Sequence, residues 1–334
     1  MASAKLGLAV IPFYLALHFV HGYGITPGSF ILPFGFGFAI GIAELFLLKN
    51  WFKDFPFLVH LAGKSLMLVG IMYLAFAVLN LLDVFIDGIT WPAYAQAIFQ
   101  HETLIGMIEV FGVIVFLLFF IQLDRLLGPG VLLGYVTGRY HRPRREIRIF
   151  MFLDLKGSTT LADGMDAERY SNFLHSYFTK MSEPILKTGA EIYKYVGDEI
   201  ILTWKMMSGL KEDSCIRLFF LIEDQIHAHR DHFLQAYGVV PEFKAGVHAG
   251  EVITAQMGEL KSEIVYNGDV LNTTARIQAL CNQFCQKLLL SAELVESLSL
   301  GPEYAVVELG PVPLRGKAEK LELCAVNRTD HWRA

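Results

Sequence analysis

Two aspartates in the second half of this 334-residue chain stand where their carboxylates can be brought to one spot. Asp154 closes a short apolar run, residues 147–153, and Asp198 follows Gly197 between two β-rich runs. With 147–153 as a buried strand and the later runs as a hairpin, a β-α-β-β arrangement makes the two strands neighbours. Hard oxygen donors gathered in this way suit magnesium, which takes one or two carboxylates plus substrate phosphates. A pair of such ions can activate an attacking hydroxyl and stabilise a five-coordinate phosphorus. Taken singly, Asp198 reads as a turn residue and Asp154 as a residue ahead of a helix.

The elements that must position these groups are legible in outline. Residues 147–153 are apolar and bounded by charges, as a buried central strand is. From about Asp166, Tyr170, Phe173, Leu174, Tyr177, Phe178, Met181, Ile185 and Leu186 recur at three and four residues, the apolar face of a helix that Gly189 stops. The stretch 191–204 reads as a hairpin around 196–198. A long helix is expected over 210–237, two strands around 248–251, a helix over 269–282, and strands near Leu288 and the C-terminal end. The order β-α-β-β-α-β is that of a ferredoxin-like α+β core with additions. The four cysteines, Cys215, Cys281, Cys285 and Cys324, have no histidine at zinc-like spacing. They read as small core hydrophobes of a reducing compartment, with Cys281 and Cys285 on one helix face.

Four runs then bring a family into view. Phe-Leu-Asp-Leu-Lys-Gly-Ser-Thr at 152–159 and Lys-Tyr-Val-Gly-Asp at 194–198 resemble the two metal motifs of the class III adenylyl and guanylyl cyclases. Gly-Asp-Val-Leu-Asn-Thr-Thr-Ala-Arg at 268–276 resembles their asparagine-arginine helix, and Leu-Arg-Gly-Lys at 314–317 their late phosphate-binding loop. Each run is weak alone; the ordered set spans nearly the whole second half. The resemblance implies that Asp154, Asp198 and the backbone carbonyl of Leu155 hold two magnesium or manganese ions per active site. It implies that Asn272 orients the ribose, Arg276 stabilises charge on the α-phosphate, and Lys317 binds the terminal phosphates. Asn272 and Arg276 are four apart, so one helix face presents both. Gly157 would let backbone approach a phosphate. The reaction implied is attack of the 3′-hydroxyl of ATP on its α-phosphorus, releasing pyrophosphate and cyclic AMP. The family draws its metal aspartates and its Asn/Arg/Lys set from opposite chains, so the resemblance also implies a two-fold homodimer.

Two positions bear on the purine. Lys194 stands at the first, where lysine resembles the adenylyl cyclases: it can donate to adenine N1, whereas guanine N1 carries its own hydrogen. The second, three residues before Gly268, holds aspartate or threonine in ATP-specific members but is Val265 here. Valine cannot bond the adenine amino group, so guanylate or mixed specificity stays open, with Tyr266 and Asn267 as possible substitutes.

The first half is of another kind. The chain is 54% hydrophobic and 18% charged, with mean hydropathy +0.43, and residues 1–127 carry most of the apolar excess. Four runs, 6–23, 30–48, 57–82 and 104–123, approach or exceed the roughly 20 residues that cross a hydrocarbon core. The expectation is a four-span α-helical membrane bundle over 1–127, a linker over 128–146 and a cyclase domain over 147–330. Lys49 and Lys53, and Arg125, Arg139, Arg142, Arg144, Arg145 and Arg148, mark the cytoplasmic side. Asp83, Asp87 and Glu102 fall in the opposite loop, so both termini and the cyclase domain are expected inside the cell (inner) membrane. His18, Glu44, His60, Lys64 and Glu109 fall within the runs, either as interhelical ion pairs through Lys64 or as a sensor site. The net charge of −5 with no basic stripe argues against nucleic acid. A catalytically silent membrane signalling module is the alternative of a different class. Retention of Asp154, Asp198, Asn272, Arg276 and Lys317 speaks against it. Four spans without an inverted repeat do not suggest a transporter.

Overall fold

The structure, a computed structural model, describes residues 55–86, 90–128, 131–315 and 319–329. The expected spans 6–23 and 30–48, with His18 and Glu44, lie outside the described residues, as does Lys317. The chain divides into two compact units, Met1–Leu127 and Gly128–Ala334.

In the first unit α1 (Phe57–Ile86), α2 (Trp91–Phe99) and α3 (His101–Leu127) are helical. α1 and α3 pack through Leu61, Leu68, Val113, Ile114, Leu117 and Leu118. Their outward faces carry Leu58, Leu66, Leu74, Ile108 and Phe116 to the exterior. Two windows, Phe57–Leu74 and Ile105–Asp124, have the length and composition to cross a membrane, with mean hydropathy 1.7 and 2.4. Lys64 is buried in this unit.

The second unit opens with α4 (Val131–Val136) and β1 (Arg144–Leu155). There follow α5 (Ser158–Asp163), α6 (Ala167–Thr188), β2 (Glu191–Val196), β3 (Glu199–Lys205) and α7 (Met206–Leu210). Then come α8 (Ser214–Ala228), α9 (Arg230–Tyr237), β4 (Phe243–Met257), β5 (Glu263–Asn267) and α10 (Asp269–Leu280). β6 (Leu288–Ser291), α11 (Ala292–Ser297), β7 (Tyr304–Pro313) and β8 (Lys320–Arg328) complete it. One sheet runs β2-β3-β1-β4-β6-β8-β7, with β5 paired to β4. Every pairing is antiparallel except β4 with β6.

β1 lies in the middle and is buried on both sides, which is why its sequence is a continuous apolar run rather than an alternating one. Ile149, Met151 and Leu153 meet Phe173, Tyr177 and Met181 of α6 and Phe219 and Ile222 of α8. Phe150 and Phe152 face the other way, into a cluster with Ile201, Val252, Tyr266 and Val270. The α6 boundaries follow the sequence: Asp166 accepts a hydrogen bond from the Arg169 backbone N–H at 2.8 Å, and Gly189 ends the helix in the left-handed region.

Three expectations need correction. The helix expected over 210–237 is interrupted twice, at Lys211–Asp213 and at His229. The two strands expected around 248–251 are one strand, β4. Cys285 is exposed in a turn beyond α10, while Cys215, Cys281 and Cys324 are buried.

Candidate active site

Antiparallel pairing sets Leu153 of β1 opposite Ile200 of β3, so Asp154 and the β2–β3 turn carrying Asp198 come to the same end of the sheet. Cross-strand neighbours are the unit of contact in a sheet. On the other side of Asp154, the β1–β4 register places Lys244 directly opposite. Lys244 Nζ lies 3.4 Å from Asp154 Oδ2, and Gln278 of α10 donates from Nε2 to the same oxygen at 2.8 Å.

The electrostatics of this corner are those of crowded acids. Burial first and Asp198 second push the Asp154 carboxyl above its usual range, against Gln278 and Lys244, which pull it down. Glu199 is pushed up to about 7 by burial, then by Asp154 and Asp198. Tyr170 and the fully buried Tyr177 are raised by burial and then by the same pair.

Asp198 Oδ2 is buried and has no hydrogen-bond partner among the described residues. A buried polar atom left unpaired is costly, more so on a charged group. The corner therefore has the donor set a hard divalent cation wants: two carboxylates that repel each other and one open buried oxygen. Among the described residues no group of three or more His, Cys, Asp or Glu is arranged to hold a metal. A two-carboxylate site completed by phosphate and water suits magnesium, and the neighbouring Leu155 belongs to the same strand end.

The other expected residues are distributed as follows. Gly157 occupies the left-handed region, φ +70°, between β1 and α5, a conformation that favours glycine. Asn272 is exposed on α10 and Arg276 is partly exposed, while Val270, Thr273, Thr274, Ile277 and Gln278 are buried. The two thus stand on the outer side of the helix whose inner side brings Gln278 to Asp154, away from the hydrogen-bond partner of this chain's own aspartate. Lys194 lies on β2 with Nζ 3.4 Å from Glu263 Oε2 of β5. Val265 sits on β5 opposite Ala255.

Sequence reasoning missed Lys244, Gln278, Glu199 and Glu263. Glu199 adjoins Asp198 and could have been suspected as a third acid. The other three become visible only with strand register and helix packing in hand.

A sequence model of the adenylate and guanylate cyclase catalytic domain matches residues 140–327. The chain belongs to this cyclase family. It is 36% identical over 210 residues to adenylate cyclase 2 of Rhizobium meliloti, covering 63% of this chain and 58% of that relative. It is 24% identical over 184 residues to an adenylate cyclase of Anabaena cylindrica, covering 53% of this chain and 36% of the other. The chain thus spans little more than half, or less, of the length of these curated relatives. A bacterial light-regulated adenylyl cyclase aligns with a TM-score of 0.55 at 22% identity, over 63% of this chain and 61% of that one. The adenylyl cyclase CyaB from P. aeruginosa aligns at 0.50 and 20% identity, over 56% and 97%. These two likenesses speak for the fold: the cyclase catalytic domain has the mixed α/β sheet described above.

Proposed function

We propose that the chain is a membrane-anchored adenylate cyclase that converts ATP to 3′,5′-cyclic AMP and pyrophosphate as a homodimer. The observation that carries the reading is the convergence of Asp154 and Asp198, with Asp198 Oδ2 buried and unpartnered among the described residues. Asp154, Asp198 and the Leu155 carbonyl would hold two divalent ions, magnesium or manganese. Bound there, the ions supply electrophilic activation of the 3′-hydroxyl and charge neutralisation at the phosphates.

The protein's own groups do the rest. Gln278 fixes one oxygen of Asp154 from α10 and so aims the other. Lys194 donates to the purine edge, and Asn272 and Arg276 reach across to the partner chain's aspartates to hold ribose and α-phosphate. Lys317 takes the terminal phosphates. The 3′-oxygen attacks the α-phosphorus, the new phosphodiester bond closes the ring, and the bond to the β-phosphate breaks to release pyrophosphate. Membrane anchoring is supported by the two apolar helices, Phe57–Leu74 and Ile105–Asp124. A four-span bundle over 1–127, both termini in the cytoplasm and a linker over 128–146 complete the proposed architecture. The Arg139 to Arg148 stretch would meet anionic head groups.

The test is product formation by the purified full-length protein, with ATP and GTP compared under magnesium and under manganese, and Asp198→Ala as blank. Cyclic AMP that vanishes in the variant is the expected result; no product from either nucleotide would sink the enzyme reading. Guanylate cyclase activity is the second reading, favoured by Val265 alone.

A further inference from the structure

The strand that carries Val265 holds a carboxylate two residues earlier. Successive side chains of a strand point to opposite faces, so residues two apart share one. On β5, Ile264 and Tyr266 turn inward: the Tyr266 ring lies 5.5 Å from Phe150 and 4.9 Å from Tyr193, and the Arg148 guanidinium stands 4.8 Å above it. Glu263 and Val265 therefore share the opposite face.

In the sheet order β5 is separated from β2 by β4, β1 and β3. Contacts between Tyr193 and Tyr266 and between Lys194 and Glu263 show that β5 folds back across the sheet to meet β2. Lys194 Nζ pairs with Glu263 Oε2 at 3.4 Å, and both side chains are half-exposed. The second oxygen, Oε1, is held by Lys261 at 2.6 Å, and that ammonium first, with Lys194, keeps the Glu263 carboxyl below its usual range. The group is an ionised acceptor at neutral pH.

We infer that Glu263 is the second purine-selecting side chain of this cyclase, accepting a hydrogen bond from the 6-amino group of adenine while Lys194 donates to N1. The inference rests on the cyclase reading proposed above and names the acceptor that Val265 cannot supply. Adenine offers a donor at its 6-amino group beside an acceptor at N1, which an ammonium and a carboxylate side by side complement. Guanine inverts both positions. Its O6 would face the Glu263 carboxylate and its N1–H the Lys194 ammonium, two mismatches rather than one absent contact.

Initial rates with ATP and with GTP, measured on full-length wild type, Glu263→Ala and the double variant Glu263→Ala/Val265→Asp, test this. In Glu263→Ala the kcat/KM for ATP is expected to fall about 10- to 100-fold, the range for a hydrogen bond to a charged group. The value for GTP is expected to hold or rise, so the ATP:GTP ratio collapses; the added aspartate at 265 restores it. Damage to folding would lower both nucleotides together and leave the ratio where it was. An active wild type whose ratio is unchanged by Glu263→Ala overturns the inference and leaves the cyclase reading standing. A wild type that makes no cyclic nucleotide from either substrate overturns both.

Discussion

Burial takes water from Asp154 and Glu199 beside Asp198, so each carboxylate that stays ionised raises the cost of the next. Glu199 shows the consequence. Its carboxyl rises from an ordinary 4.5 to about 7 in the folded chain. A raised acid binds its proton more tightly in the folded state, so across that interval the folded protein holds more protons than the unfolded one. Stability from this group is then fully present below about pH 4.5 and is lost as pH climbs through 7. Asp154 is shifted in the same direction and adds with the same sign. In chelator, the melting temperature of wild type is therefore expected to fall from pH 5 to pH 8 more steeply than that of Glu199→Gln. Magnesium should raise the wild-type value most at the high-pH end, where the acids are ionised and a cation offsets them. Parallel melting curves for wild type and Glu199→Gln across this range would show that the crowding has no energetic weight. At this scale the aspartates were readable because Asp154 closes an apolar run and Asp198 stands at the turn between two β-rich runs. Lys244 was not, since only the β1–β4 register sets it opposite Asp154.

The crossing of α10 over β4 is what lets Gln278 reach Asp154, and it depends on one missing side chain. A Cβ at Gly246 would stand 2.4 Å from the Gln278 backbone N and 2.8 Å from the Thr274 carbonyl oxygen. Those are backbone atoms of the helix, so the conflict can be relieved only by moving α10 as a body. Gly246→Ala is expected to destabilise by about 1–3 kcal/mol or more, the cost of overpacking a core. It should also lower cyclase activity by withdrawing Gln278 from Asp154. Denaturant unfolding together with turnover checks both, and a variant with native stability and full activity would show that the crossing tolerates displacement. The elements that the sequence left ambiguous fail for identifiable reasons. Lys211–Asp213 carry no glycine or proline to mark a break, yet Glu212 and Asp213 have φ of +52° and +48°, and Asp213 accepts from the Ser299 backbone N–H at 3.0 Å. That is a tertiary contact no periodicity contains. The two strands expected around 248–251 run on as one, because Gly250 lies under Val270, which a Cβ there would meet at 3.0 Å, and the strand passes straight through. The boundaries of α6 were legible because Asp166 and Gly189 act locally.

Across the whole molecule the question is where the second half of each active site comes from. The inner side of α10 is spent on its own chain: Gln278 holds Asp154, and Val270, Thr273, Thr274 and Ile277 are buried. Asn272 is left exposed on the outer side and Arg276 partly exposed. The order of the four sequence runs exposed the family, but a chain read alone cannot say whether its motifs meet within it or across a symmetry axis. If they meet across a two-fold axis, each dimer carries two sites, each taking its aspartates from one protomer and its asparagine and arginine from the other. Asp198→Ala and Asn272→Ala should each be dead as homodimers. Co-expressed, they form mixed dimers in which one site collects both lesions and the other collects none. With equal expression half of the dimers are mixed and half of their sites are intact, so about a quarter of wild-type cyclic AMP formation should return. Sites completed within one chain would give no recovery, because every chain in the mixture carries a lesion. Recovery is therefore tied to assembly: it should grow with protein concentration and vanish when the two variants are assayed in separate membranes.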